Sequence, residues 1–243
     1  MELIRGLHNL RPRHRGCVVT VGAFDGVHRG HQAVIEHLTA KGRELDLPSA
    51  VIVFEPLPRE YFAPLEAPPR LMSFREKFVA LRSLGVDRLL RVRFDERVRS
   101  MSAKAFVEDV FVAGLGAKYV VLGDDFRFGN EREGDLEFTR TLGEVHGFEA
   151  MPTSTLALDG ERVSSTRIRQ ALETGDFALA ESLLGRPYSI AGKVIYGRQL
   201  GREMGVPTAN VALNRLRSPL SGVFAVEVVG PGLARAPGIA NVG

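Results

Sequence analysis

The sequence of 243 residues contains one cysteine and no apolar run near the roughly 18 residues that a membrane-spanning helix needs. Its N-terminus also lacks the apolar core of a signal peptide. Because a single cysteine cannot form an internal disulfide, we expect a cytoplasmic protein without a membrane partner. The formal net charge is only +3, with a charged content of 25%, which gives little support for nucleic acid as a partner.

A glycine-rich turn follows a buried-strand pattern near the N-terminus. Residues Cys17–Val21 form a short β-branched run bounded by turn residues, which is typical of a strand buried on both faces of a parallel sheet. Gly22 and Gly26 then permit sharp turns and the close approach of a ligand to the backbone. Helical spacing of apolar residues starts at Val27, which predicts a helix over about 28–45.

Two histidines lie at the start of this predicted helix. Residues three apart share a helix face, so we expect His28 and His31 to point together beside the free N–H groups of the first turn. Gly30 between them leaves room for a bulky group, and the arrangement predicts a site for nucleotide phosphates. Two other interpretations remain open, namely an ordinary strand-turn-helix unit without a nucleotide and a zinc site. Two histidines are too few for zinc, which disfavours the second.

The remainder of the first part alternates strand and helix patterns. Five prolines in residues 55–69 predict a long loop after a strand. Ser73 and Glu76 form a capping box that predicts the start of a helix. The alternation predicts an α/β fold with a parallel sheet. The further predicted strands are 50–54, 87–94 and 119–122, and the further predicted helices are 103–112 and Leu136–His146.

Two more segments place polar residues where ligands bind in such folds. Residues 123–129 follow a predicted buried strand and mix acidic with aromatic side chains. An exposed acidic turn is the alternative interpretation. Residues 162–169 open a helix after a tight turn at Asp159 and Gly160, and they put Arg167 and Arg169 in its first turn, where cations oppose the helix dipole. An anionic ligand would explain these arginines.

The pattern changes after Leu184, where a Gly-Arg-Pro sequence interrupts the helical spacing. Alternating apolar and glycine-rich segments follow, and they predict an all-β unit. We therefore expect two domains, residues 1–185 and residues 186–243.

Together these segments resemble the bifunctional riboflavin kinase and FMN adenylyltransferase family of bacteria, also called bifunctional FAD synthetases. The second unit is similar to the start of the family's kinase barrel, through residues 192–210 with Pro-Thr-Ala-Asn at their end. The first unit is similar to its Rossmann-like nucleotidyltransferase domain through three motifs, Gly22-x-Phe24-Asp25-Gly26-x-His28-x-Gly30-His31, Gly123-x-Asp125-Phe126-x-Phe128-Gly129 and Ser164-Ser165-Thr166-x-Ile168-Arg169.

The resemblance implies that the first unit transfers AMP from ATP to FMN, giving FAD and pyrophosphate. Direct displacement at phosphorus needs positioning and charge rather than a protein nucleophile. The resemblance implies that His28, His31 and Arg169 are catalytic and supply this charge, with Mg²⁺ as cofactor. It implies ATP contacts for Gly22, Phe24, Asp25, Gly26, Gly30, Ser165 and Thr166, and flavin contacts for Asp125, Phe126 and Phe128.

In the second unit the resemblance implies a site where ATP phosphorylates riboflavin. Gly197 and Gly201 would form its phosphate-facing loop, and Thr208 and Asn210 would bind magnesium and ATP phosphates. The sequence departs from the family at Leu57, where members commonly have histidine. It also ends before the glutamate thought to act as general base, so we expect little or no riboflavin kinase activity from the chain as given.

Two other functions remain open. The first is a related adenylyl- or cytidylyltransferase that uses the same two-histidine helix on a different substrate, which the kinase-like second unit disfavours. The second is a flavin- or nucleotide-binding protein without catalysis, of which Leu57 would be one sign. The joint presence of His28, His31 and Arg169 disfavours this second alternative.

Overall fold

A six-stranded parallel sheet forms the centre of the protein, with strand order β1-β4-β3-β2-β5-β6. The computed structural model describes residues 1–153, 155–197 and 208–243. The predicted α/β class with a parallel sheet is confirmed, although the two outer strands were not predicted. The strands are β1 (Glu2–Arg5), β2 (Cys17–Val21), β3 (Ser49–Glu55), β4 (Arg88–Arg93), β5 (Ala117–Leu122) and β6 (Glu149–Pro152).

The two central strands β2 and β3 are buried along their whole length. Their β-branched apolar residues are covered on both faces, as expected for parallel strands between two helical layers. The strand order reverses at β2, because β3 follows on one side and β5 on the other. Open α/β sheets bind ligands at such a point, beyond the carboxyl ends of the strands.

Helices cover both faces of this sheet. Helices α1 and α3 contribute Ile35 and Leu81 to the core on one face, and a π-helix contributes Phe111 on the other. In the described ranges no helix is long and apolar enough to cross a membrane. The helices are α1 (Arg29–Leu45), α2 (Pro58–Phe62), α3 (Phe74–Ser83), α4 (Glu96–Arg99), α5 (Ala103–Phe106), the π-helix (Val107–Gly114), α6 (Leu136–His146), α7 (Ser165–Glu173) and α8 (Phe177–Leu184).

One local prediction is wrong, and a second holds in position but not in helix type. The segment 55–69, predicted as a loop, contains α2, because Pro58 occupies the first helical position, where its missing N–H costs no hydrogen bond. The predicted helix 103–112 is α-helical only to Phe106 and then continues as the π-helix. Apolar spacing over so few turns does not distinguish the wider π-helical bonding from α-helical bonding.

Other local predictions are confirmed. Helix α1 begins after His28 and ends at Leu45. The capping box at α3 is present, with Ser73 Oγ accepting from the N–H of Glu76 and Glu76 Oε2 accepting from the N–H of Ser73 at 2.6 Å. The turn at Asp159 and Gly160 joins a short hairpin of β7 (Ala157–Leu158) and β8 (Glu161–Arg162).

The part of the chain after α8 contains antiparallel strand pairs. Strand β9 (Lys193–Ile195) pairs with β10 (Asn210–Ala212), and β11 (Gly222–Gly230) pairs with β12 (Leu233–Val242). The predicted all-β character is thereby confirmed for the described residues of this part, 186–197 and 208–243. Helix α8 ends just before it, with Gly185 in the left-handed conformation that commonly closes a helix.

Candidate active site

Three segments singled out in the sequence meet at the crevice beside β2. The turn of residues 22–28 follows β2, and residues 123–129 follow β5. At the start of α7, Ser165 Oγ donates to the carbonyl of Asp25 at 2.8 Å. Arg162, in the hairpin before α7, donates to Asp125 at 2.9 Å. The start of α7 and its preceding hairpin therefore connect the two strand ends.

The turn after β2 has an unusual backbone. Phe24 and Val27 have φ angles of 47° and 41°, a left-handed region that β-branched residues such as valine rarely adopt. Gly26 has φ 87°, and a Cβ placed there would lie 2.7 Å from Cδ1 of Leu71. Such a backbone persists only where its surroundings hold it, and strain of this kind is frequent at ligand sites.

The two histidines lie together, as the helix spacing predicted. His28 is the N-cap of α1, and its Nδ1 accepts a hydrogen bond of 3.3 Å from the N–H of His31. The imidazole rings stack with centroids 3.6 Å apart and an interplanar angle of 17°. In the described residues no group of three or more His, Cys, Asp or Glu side chains could hold a metal ion.

The predicted reason for Gly30 needs correction. A Cβ at Gly30 would lie 3.2 Å from the ring of His28 and 3.5 Å from the carbonyl of Val163. The space beside this glycine is therefore taken by the protein's own atoms. Gly30 permits the histidine ring to fold back over the first turn of α1, which is a different use from leaving room for a ligand.

Both histidines are held neutral by their surroundings. Burial, followed by the cationic side chains of Arg162, Arg169 and Arg186, lowers the pKa of His28 to about 4. Burial lowers the pKa of His31 well below its ordinary value, and His28 adds to the shift. These lowered pKa values favour neutral imidazoles at neutral pH, and the expected charge contribution of the histidines to the phosphates stays a prediction. Since Nδ1 of His28 accepts from the backbone, its proton is on Nε2, which makes the ring a neutral donor.

We expect the free energy of unfolding to fall as the pH is lowered from about 6.5 to about 4. In this interval the unfolded chain binds a proton at residue 28 that the folded protein excludes, because the folded pKa of His28 is lowered to about 4. A shift of this size corresponds to roughly 3 kcal/mol. Urea unfolding at pH 7 and pH 4.5 measures it.

The matched variants for this measurement are His28→Asn and His37→Asn. Asparagine at position 28 can still cap α1 but cannot titrate, so that variant should lose less stability on acidification than the wild type. His37 lies on the same helix and contacts the hydroxyl of Tyr119 instead. Equal acid losses in the wild type and His28→Asn would contradict the prediction.

A buried ion pair fixes α7 to the turn. Asp25 is 2% exposed and accepts from the N–H groups of Leu71 and Met72 at 3.1 and 3.2 Å. Its other partner is Nη2 of Arg169 at 2.5 Å. Nε of Arg169 donates to the carbonyl of Pro69 at 2.6 Å. Two guanidinium nitrogens of Arg169 are thus bound within the protein, which favours a role in positioning over direct contact with phosphate.

The arginines at the start of α7 have partners within the chain. Ser164 is the N-cap and accepts from the N–H of Arg167. The Arg167 side chain lies 3.1 Å from the carboxylate of Glu161 and donates to the carbonyl of Leu158. These contacts neutralise the charge of Arg167 within the chain. The anionic ligand predicted from the sequence is therefore not needed to explain this arginine. Thr166, directly before Arg167, is exposed.

The segment after β5 divides between surface and core. Asp124 accepts from Thr155 at 2.5 Å, and Asp125 is exposed and pairs with Arg162. Phe128 is only 7% exposed and packs in the core. Phe126 is partly buried, and its ring lies 5.7 Å from that of Phe128. Of the three predicted flavin residues, Asp125 and Phe126 are therefore accessible to a ligand at the surface, whereas Phe128 is buried.

Comparisons with known proteins match the whole chain. The FAD synthetase family model matches residues 10–167, and the riboflavin kinase family model matches residues 184–243. The bifunctional riboflavin kinase/FMN adenylyltransferase of Pseudomonas fluorescens is 52% identical over 243 residues, covering 100% of this chain and 78% of the relative. The enzyme of that name from Escherichia coli K12 is 50% identical over 244 residues, with the same coverage. The chain belongs to the bifunctional riboflavin kinase/FMN adenylyltransferase family.

A solved structure supports the same fold across both parts of this family member. It is described as a macrolide-efflux protein from Streptococcus pneumoniae, and it has 29% sequence identity and a TM-score of 0.80. The alignment covers 100% of this chain and 79% of that chain. The resemblance inferred from the motifs is confirmed by the family models and by the identity to these relatives.

Three of the predicted kinase residues of this family member, Gly197, Thr208 and Asn210, lie in or beside the β9–β10 pair. Asn210 begins β10, and its side chain would collide with a Cβ at Gly197. Thr208 precedes that strand, and both Thr208 and Asn210 are exposed. Gly201 lies outside the described residues. The magnesium site at Thr208 and Asn210 remains a prediction.

Sequence reasoning missed two arginines beside the histidines. Arg162 lies in β8 and Arg186 follows α8, yet both lower the pKa of His28. Arg186 donates from Nη2 to the carbonyl of Gly26 at 2.6 Å and from Nη1 to that of Val27 at 3.1 Å. Arg162 lies just before the motif that begins at Ser164, and this neighbourhood could have indicated a place in the site. Nothing near Arg186 in the sequence indicates that it lies beside the histidines.

A buried charge cluster adjoins the turn at the carboxyl end of β3. Arg70 donates to Glu55 at 2.9 Å and to Glu60 at 2.5 Å, and Nζ of Lys77 lies 3.8 Å from Glu55. Burial lowers the pKa of Lys77. Leu57, at the family's usual histidine position, is the N-cap of α2 and donates its N–H to Glu60 at 3.1 Å.

A cleft of about 1490 Å³ begins at the turn after β2 and reaches the second part of the chain. Gly26 and Val27 line one end of it, and residues 70–76 line its wall. Arg186 and Arg215 also line it, although they belong to the other part of the chain. The cleft is large enough for a nucleotide, and Gly26, Val27 and Gln32 line it, whereas neither His28 nor His31 does.

Proposed function

We propose that this chain catalyses transfer of AMP from ATP to FMN, giving FAD and pyrophosphate, at the turn after β2. The observation that carries the proposal is the stacked pair His28 and His31 at the N-terminus of α1, where the strand order reverses. Helix N-termini bind phosphates through free N–H groups, and the switch point supplies the crevice. Membership in the family agrees with this activity.

The reaction is a direct displacement at phosphorus. An oxygen of the FMN phosphate attacks the α-phosphorus of ATP, a new P–O bond forms, and the bond to the bridging oxygen of pyrophosphate breaks. Negative charge accumulates on the departing pyrophosphate, so the protein must supply donors and positive charge. Nε2–H of His28 and the free N–H groups of α1 are the proposed donors to the phosphates.

The other residues assigned to ATP are proposed to shape this turn. Asp25 and Arg169 hold it through their ion pair, and Ser165 holds it through the carbonyl of Asp25. Arg162 and Arg186 place positive charge beside His28. The remaining proposed ATP contacts are with Gly22, Phe24, Gly26, His31 and Thr166, and with Gly30 through its backbone alone, since the space beside its Cα is taken by His28 and Val163.

The flavin is proposed to lie near the carboxyl end of β5, against Asp125 and Phe126, with Phe128 supporting Phe126 from the core.

In the second unit, residues 186–243, we propose a riboflavin kinase site with Gly197 and Gly201 in its ATP loop. The side-chain oxygens of Thr208 and Asn210 are hard donors of the kind that Mg²⁺ prefers. When bound, the ion would neutralise charge on the ATP phosphates.

We propose that the protein is located in the cytoplasm, because the chain has a single, buried cysteine.

Chromatography of flavins after incubation with ATP and magnesium tests the proposal. With FMN we expect FAD and an equal amount of pyrophosphate, and CTP in place of ATP should give no product. Product from CTP would favour the cytidylyltransferase alternative, and flavin binding without product would favour a non-catalytic protein. A parallel incubation with riboflavin tests the second unit, where formation of FMN would support the kinase site and overturn the expectation of little kinase activity.

A further inference from the structure

The segment of residues 69–72 lies between the turn after β2, which carries His28, and the second unit, residues 186–243. Its amide groups at Leu71 and Met72 donate to the carboxylate of Asp25 at 3.1 and 3.2 Å. Its carbonyl at Pro69 accepts from Arg169 at 2.6 Å. One edge of this segment therefore fixes the ion pair that holds the turn carrying His28.

The other edge of the segment is bound by Arg215 of the second unit. Nη1 of Arg215 donates to the carbonyls of Arg70 and Leu71, each at 3.2 Å. The hydroxyl of Tyr188 also donates to the Leu71 carbonyl at 3.1 Å. The Arg215 side chain is 0% exposed. A fully buried guanidinium is retained only where carbonyl and carboxylate partners satisfy it, as they do here.

Glu76 completes this connection. It accepts from Nη2 of Arg215 at 2.7 Å and from the N–H of Ala191 at 2.7 Å. It also caps α3 by accepting from the N–H of Ser73 at 2.6 Å. Its side chain is 11% exposed, so loss of Arg215 would leave a largely buried carboxylate without its cation.

We propose that Arg215 is a positioning residue for adenylyl transfer, so that the second unit holds the ATP site of the first. Arg215 fixes residues 70–72, these residues fix Asp25, and Asp25 fixes the turn that carries His28. The inference rests on the proposed function for its kinetic consequence. The structural consequence, tighter amide protection at Leu71 and Met72, does not depend on it.

The kinetic test compares Arg215→Ala and Arg215→Lys with Arg235→Ala in the full chain. Arg235 pairs with Glu227 in the same unit, but both side chains are exposed, at 71% and 64%. We expect Arg215→Ala to raise the KM for ATP about tenfold or more, while the KM for FMN changes less than twofold, because Asp125 pairs with Arg162 and Phe126 packs against Phe128, outside the connection through Arg215. Arg215→Lys should recover part of the loss. If Arg215→Ala only reduced the fraction of folded enzyme, the measured kcat would fall, but the KM for ATP and the KM for FMN would not change relative to each other.

Amide hydrogen exchange at Leu71 and Met72 provides the second readout. We expect faster exchange there in Arg215→Ala, with exchange across β2 unchanged. Wild-type KM for ATP and wild-type exchange in Arg215→Ala would overturn the inference. If that variant fails to fold, Glu76→Gln weakens the same connection and should produce the same pattern in smaller measure; unchanged values there overturn the inference equally. Absence of FAD from the wild-type enzyme contradicts the proposed function, and the exchange experiment still decides the role of Arg215.

Discussion

Replacement of His28 by alanine is expected to lower kcat for FAD formation by about 10²–10³-fold, the usual effect of removing one preorganised donor to a developing anion. Nδ1 of His28 accepts from the N–H of His31, so Nε2 carries the proton that the ring offers to phosphate. The lowered pKa of about 4 keeps this ring neutral and its tautomer constant across the physiological range. Steady-state FAD formation measured by chromatography gives the rate.

Two variants make this experiment specific. His37→Ala removes an imidazole from the same helix whose contact is with the hydroxyl of Tyr119, so turnover should remain near that of the wild type. His28→Asn keeps an N-cap acceptor for His31, so it separates the loss of the cap from the loss of the Nε2 donor. Turnover of His28→Ala within threefold of the wild type would remove His28 from the mechanism.

The central strands were predictable because their burial is uniform. Strands β2 and β3 are apolar, largely β-branched and buried throughout, so composition alone identifies them. The outer strands β1 and β6 are short and partly exposed, and their sequences carry no comparable pattern. Local spacing also predicted the meeting of His28 and His31, because both lie in one helical turn.

The charge state of the site was not predictable from the same spacing. The neutrality of His28 depends first on burial and then on Arg162, Arg169 and Arg186, which are distant in sequence and converge only in the fold. The partner of Arg169 is likewise 144 residues away, at Asp25. A sequence pattern reports neighbours along one element, whereas a pKa depends on neighbours from every element packed around the group.

Arg169→Ala is expected to lower the free energy of unfolding by about 3–5 kcal/mol, because it leaves a buried carboxylate without its cation. Asp25 is 3% exposed at the side chain and Arg169 is 17% exposed, with 2.5 Å between the paired atoms. The exposed pair of Arg99 and Glu96 provides the control, since Arg99→Ala should cost at most about 1 kcal/mol. Urea unfolding followed by circular dichroism measures both.

A double-mutant cycle shows whether this loss comes from the ion pair. Asparagine at position 25 carries no charge, so Arg169→Ala made in the Asp25→Asn background leaves no buried unpaired carboxylate. We expect the double variant to be more stable than the sum of the two single changes predicts, by about 2 kcal/mol. If the two losses add, the stability effect of Arg169 comes from its packing and its bond to the Pro69 carbonyl. In that case the Asp25–Arg169 ion pair would not be the contact that fixes α7 to the turn after β2.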